Sequence, residues 1–186
     1  MVVSSSASEG YFGDRPRYMA KLNAKTLAEV GRLRIVAWEA SGPRPRLAPN
    51  TGDTWTDSHD EHAHHWIIRE QDEIVAAARM CIHTSFNDLP DHDELSAVRG
   101  HKLLWPVASM NRLVVHPDYR RKGLSRLFDL ARIDFAESSG AKSVVVTSHP
   151  QSRIRGLLEL GFDAVGEFSE RVVPSAPTII FVKILE

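Results

Sequence analysis

Arg120-Arg121-Lys122-Gly123-Leu124-Ser125 places three basic side chains and a glycine between two segments of opposite habit. Upstream, Leu113, Val114 and Val115 are branched and apolar, as a covered strand requires. His116-Pro117-Asp118 is turn chemistry. Downstream, Leu124, Leu127, Phe128, Ala131 and Phe135 recur at helical spacing. The loop therefore presents backbone N–H groups at a helix start, flanked by Arg120, Arg121 and Lys122. That arrangement suits an anion, and a pyrophosphate is the natural guest.

Other readings of these residues fail on spacing. A P-loop needs Gly-x-x-x-x-Gly-Lys-Ser/Thr, which the chain lacks. A nucleophile elbow needs Gly-x-Ser-x-Gly, and Gly123-Leu124-Ser125-Arg126-Leu127 has no second glycine. His59, His62, His64 and His65, with Asp57, Asp60 and Glu61, match no zinc template, so no metal site is expected. If His64 opens a strand, His64 and His65 face opposite ways. Cys81 lies in an expected strand away from any basic helix end and reads as an inert buried thiol. Arg79 on the same face reads as an ion-pair partner, with contact to a substrate carboxylate as the alternative.

These groups need a frame. Thr26-Leu27-Ala28-Glu29 fits a capping box, followed by the stripe Leu27, Val30, Leu33 and Ala37, so a first helix is expected to end near Trp38-Glu39. Ser41-Gly42-Pro43-Arg44-Pro45 breaks it. Strands are expected at His64 to Arg69 and Ile74 to Thr84, joined by a polar hairpin over Glu70-Gln71-Asp72-Glu73. A longer connection carries a short helix near Asp93 to Val98. The motif strand and loop helix follow, with Gly140 as the helix stop. Ser143 to Thr147 reads as a buried strand, Gln151 to Leu160 as a helix, and Asp163 to Arg171 and Thr178 to Leu185 as closing strands. This is a mixed α/β order with one strand–helix–strand crossover.

Length and charge narrow the partners. The chain has 186 residues, which suits one domain. Lys and Arg number 23 against 24 Asp and Glu, so no global field draws it to nucleic acid or an acidic membrane. Cys81 is the only cysteine, which excludes an intramolecular disulfide and fits a reducing cytoplasm. No apolar run approaches a membrane span. Met1-Val2-Val3-Ser4-Ser5-Ser6 has no secretory pattern, so residues 1–15 are expected as a loose tail ahead of a domain over 16–186.

Arg120-x-x-Gly123-x-Ser125, after Leu113-Val114-Val115-His116-Pro117-Asp118-Tyr119, resembles motif A of the GNAT superfamily of acyl-CoA N-acyltransferases. Ser125 stands where that family usually carries Gly or Ala. Leu158-Glu159-Leu160-Gly161-Phe162 is similar to the end of the family's last helix. The two matches span about Ser109 to Phe168. A looser likeness to the acyl-homoserine-lactone synthase branch runs through Leu33-Arg34-Ile35-Val36-Ala37-Trp38, Asp60 ahead of His65, Ala78-Arg79-Met80 and the Leu89-Pro90 insertion.

The resemblance implies a single domain with a central, mostly antiparallel sheet, flanked by helices and split beside the motif strand. It implies acetyl-CoA or another acyl-CoA as cosubstrate. Its pantetheine arm would lie along Leu113, Val114 and Val115, and its pyrophosphate on Arg120, Arg121, Lys122, Gly123, Leu124 and Ser125. The family's usual base is a glutamate where this chain has Ser109. Alternation puts Ser109 and Asn111 on one face, and Ala108, Met110 and Arg112 on the other. Neither Ser109 nor Asn111 is basic, so either would position a water, with His149, His83 or Glu70 as alternative bases. The family's tyrosine acid is replaced by Leu157, which leaves His149 as the nearest titratable substitute.

The expected activity is transfer of an acetyl or other acyl group from coenzyme A to a primary amine, by direct attack in a ternary complex. The expected acceptor is a small-molecule or peptide amine, the resemblance implies an acceptor site built from about Gly42 to Glu61 and Val172 to Pro177, and a homodimer stays open. Two alternatives are a transferase drawing a longer acyl chain from acyl-CoA or acyl carrier protein, and a non-catalytic acyl-CoA sensor.

Overall fold

The computed structural model of the protein describes residues 16–41, 52–90, 92–98, 103–148, 151–168 and 177–186. Strand β1 (Arg17–Met19), three residues long and not anticipated, precedes helix α1 (Ala24–Glu39). Asn23 rather than Thr26 caps that helix: its side chain accepts the Thr26 N–H at 2.9 Å. Asn serves at this position as well as any residue, so the capping-box reading began the helix too late. Val30, Leu33 and Ala37 on α1 pack on Ile67, Ile74, Ala77 and Val114 of the sheet.

Strands β2 (His64–Glu70) and β3 (Glu73–His83) form a hairpin. Gln71 and Asp72 both take positive φ, 47° and 71°, the conformation that matches the twist of two strands joined by two residues. Strand β4 (Val107–Val115) leads to α2 (Leu124–Ser138), which Gly140 ends at φ 78°. Then come β5 (Ser143–Ser148), α3 (Gln151–Glu159), β6 (Asp163–Phe168) and β7 (Thr178–Ile184).

The sheet order is β1-β2-β3-β4-β5-β7-β6. Only β4 and β5 run parallel, with α2 in their connection. The sheet is therefore mixed and mostly antiparallel, as expected. Helix α1 covers one face. On the other, Leu124, Phe128 and Ala136 of α2 and Leu157 of α3 join Ala78, Met80, Ala108 and Met110 in the main core. A third cluster sets Leu89 and Leu95, from the connection between β3 and β4, against Val107, Val145, Ile180 and Val182. Among the described residues no helix is long and apolar enough to cross a membrane.

Candidate active site

Two irregularities in β4 shape the site. Ala77 pairs with Val114 and Arg79 with Asn111, so Arg112 and Leu113 together oppose Ala78: a β-bulge, with Arg112 in the left-handed region at φ 50°. The extra residue reverses the alternation beyond it. Ser109 and Asn111 share one face as expected, and it is the α1 side. Arg112 also turns to that side, where its guanidinium reaches Asp57 Oδ2 at 2.9 Å, instead of lying with Ala108 and Met110. The second irregularity is a parting. Strand β4 pairs with β5 from Val107 opposite Ser143 to Met110 opposite Val146, and no further. Thr147 and Ser148 continue with β7, while β4 beyond Asn111 keeps only β3. The edge of β4 that carries Leu113, Val114 and Val115 is thereby left as a place where an extended ligand could add as a strand.

The bulge is held from behind. Arg132 of α2, fully buried, donates to Arg79 O at 3.0 Å and Asn111 O at 3.4 Å, carbonyls that flank the interrupted ladder. Asp129 holds Arg132 at 2.7 Å and also takes Arg153 of α3. Burial, against the pull of Asp129, lowers the Arg132 pKa to about 10, so it stays charged at neutral pH.

The anion loop follows β4. Arg121 at φ 62° and Gly123 at φ 78° turn the chain into α2. Gly123 is the N-cap residue and offers no side-chain acceptor, and no acidic residue stands in the first turn. The first N–H groups of α2 are thus left for a ligand. A Cβ on Gly123 would meet nothing within 4 Å, so the space over the loop is open. One assignment changes. Arg120 sends its guanidinium to the C-terminal end of α1, bonding Ala37 O at 2.6 Å and Ser41 Oγ at 3.1 Å. Its side chain caps that helix rather than facing the loop, so only its backbone remains on the loop.

On the α1 face a chain of charges and hydrogen bonds runs to Ser109. Arg34 of α1 grips Asp60 with both terminal nitrogens, at 2.7 and 2.8 Å. Asp60 also takes Arg79 at 3.0 Å, and Asp57 bridges Arg79 and Arg112. Asp57 and Asp60 stand on a 3₁₀ turn over Ser58–Glu61 and its cap. Burial by itself would raise both carboxyls; the arginines outweigh it and hold both below the usual carboxylate range. From Arg79 the chain continues: Nε donates to Asn111 Oδ1 at 2.6 Å, Asn111 Nδ2 to Ser109 Oγ at 3.2 Å, and His83 Nε2 lies 2.8 Å from Ser109 Oγ. Burial foremost lowers the His83 pKa to about 4, so its ring is neutral at pH 7.

Of the remaining candidates, His149 lies outside the described residues. Glu70 sits at the far end of the β2–β3 hairpin from His83. Leu157 is fully buried in the core. Cys81 is buried, and burial pushes its thiol up to about 11, in keeping with an inert role. His64 packs at a tilt against Phe135 while His65 bonds Asp60 O at 3.1 Å, so the two do face opposite ways. Among the described residues no three His, Cys, Asp or Glu side chains are grouped to hold a metal ion. Alternation along β3 sets His83 on the face of Arg79 and Cys81, a signal not used in the sequence reading; its meeting with Ser109 depends on register, which the sequence does not carry.

The model of the acetyltransferase (GNAT) domain matches residues 33–129, just over half of the chain. The chain belongs to the GNAT family. Solved structures bear out the fold over about nine-tenths of the chain. A CoA-dependent acyl-homoserine lactone synthase, BjaI, solved with SAM and isopentyl-CoA, superposes at TM-score 0.67 and 21% identity, covering 91% of this chain and 82% of that one. FeeM, an N-acyl amino acid synthase from uncultured soil microbes, gives 0.63 at 16% identity, covering 91% of each chain. The ribosomal-protein-S18-alanine N-acetyltransferase of Escherichia coli gives 0.59 at 15%, covering 90% and 92%. No curated protein sequence matches closely enough to count as a relative.

Proposed function

We propose that this GNAT protein transfers an acetyl or other acyl group from coenzyme A to a primary amine by direct attack. The observation that carries the reading is the parting of β4 from β5 after Met110, beside the uncapped start of α2. The pantetheine arm adds to the open edge of β4 through backbone groups of Leu113 to Val115. The pyrophosphate takes N–H groups from Arg121 to Ser125, where the helix field favours negative charge. A backbone N–H near Val114 or Val115 polarises the thioester carbonyl. The acceptor approaches from the α1 face, where the 57–61 turn and the face of β4 bearing Ser109 and Asn111 meet. Holding both reactants at the bulge turns a bimolecular encounter into a local attack.

Titration calorimetry with acetyl-CoA tests the donor site. Gly123→Val puts a branched side chain at positive φ and into the open space above the loop. Affinity should fall at least tenfold in a variant that still melts cooperatively. Unchanged affinity in folded Gly123→Val would sink the loop assignment. Thiol release across a panel of acyl-CoAs and amines separates a transferase from a binding sensor.

A further inference from the structure

The hydrogen bonds at Ser109 have a direction. Arg79 can only donate, so the Asn111 oxygen must face it and the Asn111 NH₂ must face Ser109. Ser109 Oγ thus accepts from Asn111. Its own proton needs an acceptor, and among the described residues His83 Nε2 is the one placed to take it. His83 Nε2 therefore carries a lone pair, and its ring proton sits on Nδ1. A donor-only arginine, clamped by Asp57 and Asp60, sets the polarity of the whole row.

We propose that Ser109 and His83 form a proton relay, with His83 as the terminal acceptor of the proton released by the attacking amine. The proposal rests on the acyl-transfer reading above. As the amine nitrogen bonds the thioester carbon and the C–S bond breaks, Ser109 Oγ takes the nitrogen's proton while passing its own to His83 Nε2. The imidazole becomes imidazolium, and the leaving thiolate is protonated by solvent. The proton has a way out, because His83 also lines a cavity of about 550 Å³ between the 58–62 turn and Asn87, Asp88 and His92.

The groups facing His83 make the acid side readable. His59 on the 58–61 turn and Arg79 on β3 oppose its protonation, Asp88 on the following connection favours it, and Glu61, His62, Cys81 and His92 line the same cavity. Protonating His83 removes the acceptor, so the rate should fall as pH drops through the pKa of that ring.

The experiment pairs nitrogen NMR of the imidazoles in the full chain with kinetics. At pH 7 the His83 signals should show the Nδ1–H form, and Ser109→Ala should shift the Nε2 signal; an Nε2–H ring in the wild type overturns the relay. Where thiol release is found, Ser109→Ala and His83→Gln should each cut kcat at least tenfold, with acetyl-CoA affinity held within threefold. His83→Gln should also lose the acid limb of the kcat profile. Wild-type kcat in Ser109→Ala, which keeps the fold's volume demands low, refutes the proposal even if His83→Gln fails to fold. A wild type that binds no acyl-CoA would strike the acyl-transfer reading instead, and the NMR readout would still decide the direction of the row.

Discussion

Asp60 is the most informative residue to perturb, because so much rests on a group with no exposed side chain. It neutralises Arg34 and shares Arg79, both about 1% exposed. Asp60→Asn keeps the size and one acceptor oxygen but removes the charge. Arg79 retains Asp57, whereas Arg34 loses its carboxylate and keeps only neutral acceptors such as the Trp55 carbonyl at 3.1 Å, and its Nε already has no partner. Leaving a buried charge uncompensated costs about 3–5 kcal/mol. For a domain of this length that is a drop of roughly 6–20 °C in melting temperature. Adding Arg34→Met removes the stranded cation, so the double variant should be more stable than the sum of the singles by about 1–3 kcal/mol. Urea unfolding measures both. The sign with pH follows from the lowered Asp60 pKa: its stabilisation is full above the ordinary carboxylate range and is lost as pH falls through the folded value. Asp60→Asn should flatten that acid slope. A loss under about 1 kcal/mol, or strict additivity with Arg34→Met, would refute the view that the cluster is a mutually dependent unit.

Two further substitutions probe assignments made above. Cys81→Ala should keep turnover within about threefold, since a thiol held near 11 is about one part in ten thousand thiolate at pH 7; an acyl adduct on Cys81 in mass spectrometry would contradict this. Arg120→Ala should lower stability by about 1–2 kcal/mol by stripping the α1 end of its donor, while acetyl-CoA affinity changes less than about threefold. A tenfold affinity loss at unchanged melting temperature would return the Arg120 side chain to the phosphate.

What could be read in the sequence was local. Leu113 to Phe135 carries strand, turn, loop and helix within one short span, each signalled by neighbours along the chain, and the structure follows it. The Gln71-Asp72 turn was legible as a polar break. Strand β1 was not, because three residues offer no period to read. The bulge was invisible for a different reason: nothing in Asn111-Arg112-Leu113 demands positive φ, and the alternation rule presumes an unbroken ladder. Arg112 was misplaced for that reason alone. The Arg120 side chain was misread because a basic residue near a phosphate loop and a basic residue capping a distant helix look alike in one dimension. The row from Arg79 to His83 required the β3–β4 register, a long-range fact. Only the parity of Arg79, Cys81 and His83 along β3 hinted at it.

The bulge connects these parts. An arginine at positive φ costs roughly 1 kcal/mol or more relative to glycine, yet glycine is not what the chain carries. The left-handed turn brings the Arg112 guanidinium onto the face it would otherwise avoid, where Asp57 takes it at 2.9 Å and the Trp55 ring lies 4.4 Å below. Those contacts offset the strain and fix Asp57, which fixes Arg79, which orients Asn111 and so the proton of Ser109. From the opposite face Arg132 occupies the carbonyls of Arg79 and Asn111 that the broken ladder leaves. A regular β4 would keep neither arrangement: Arg112 would lie with Ala108 and Met110, and Asp57 would lose one of its two cations. The same irregularity that frees the edge of β4 beyond Met110 therefore sets the hydrogen-bond direction on its α1 face.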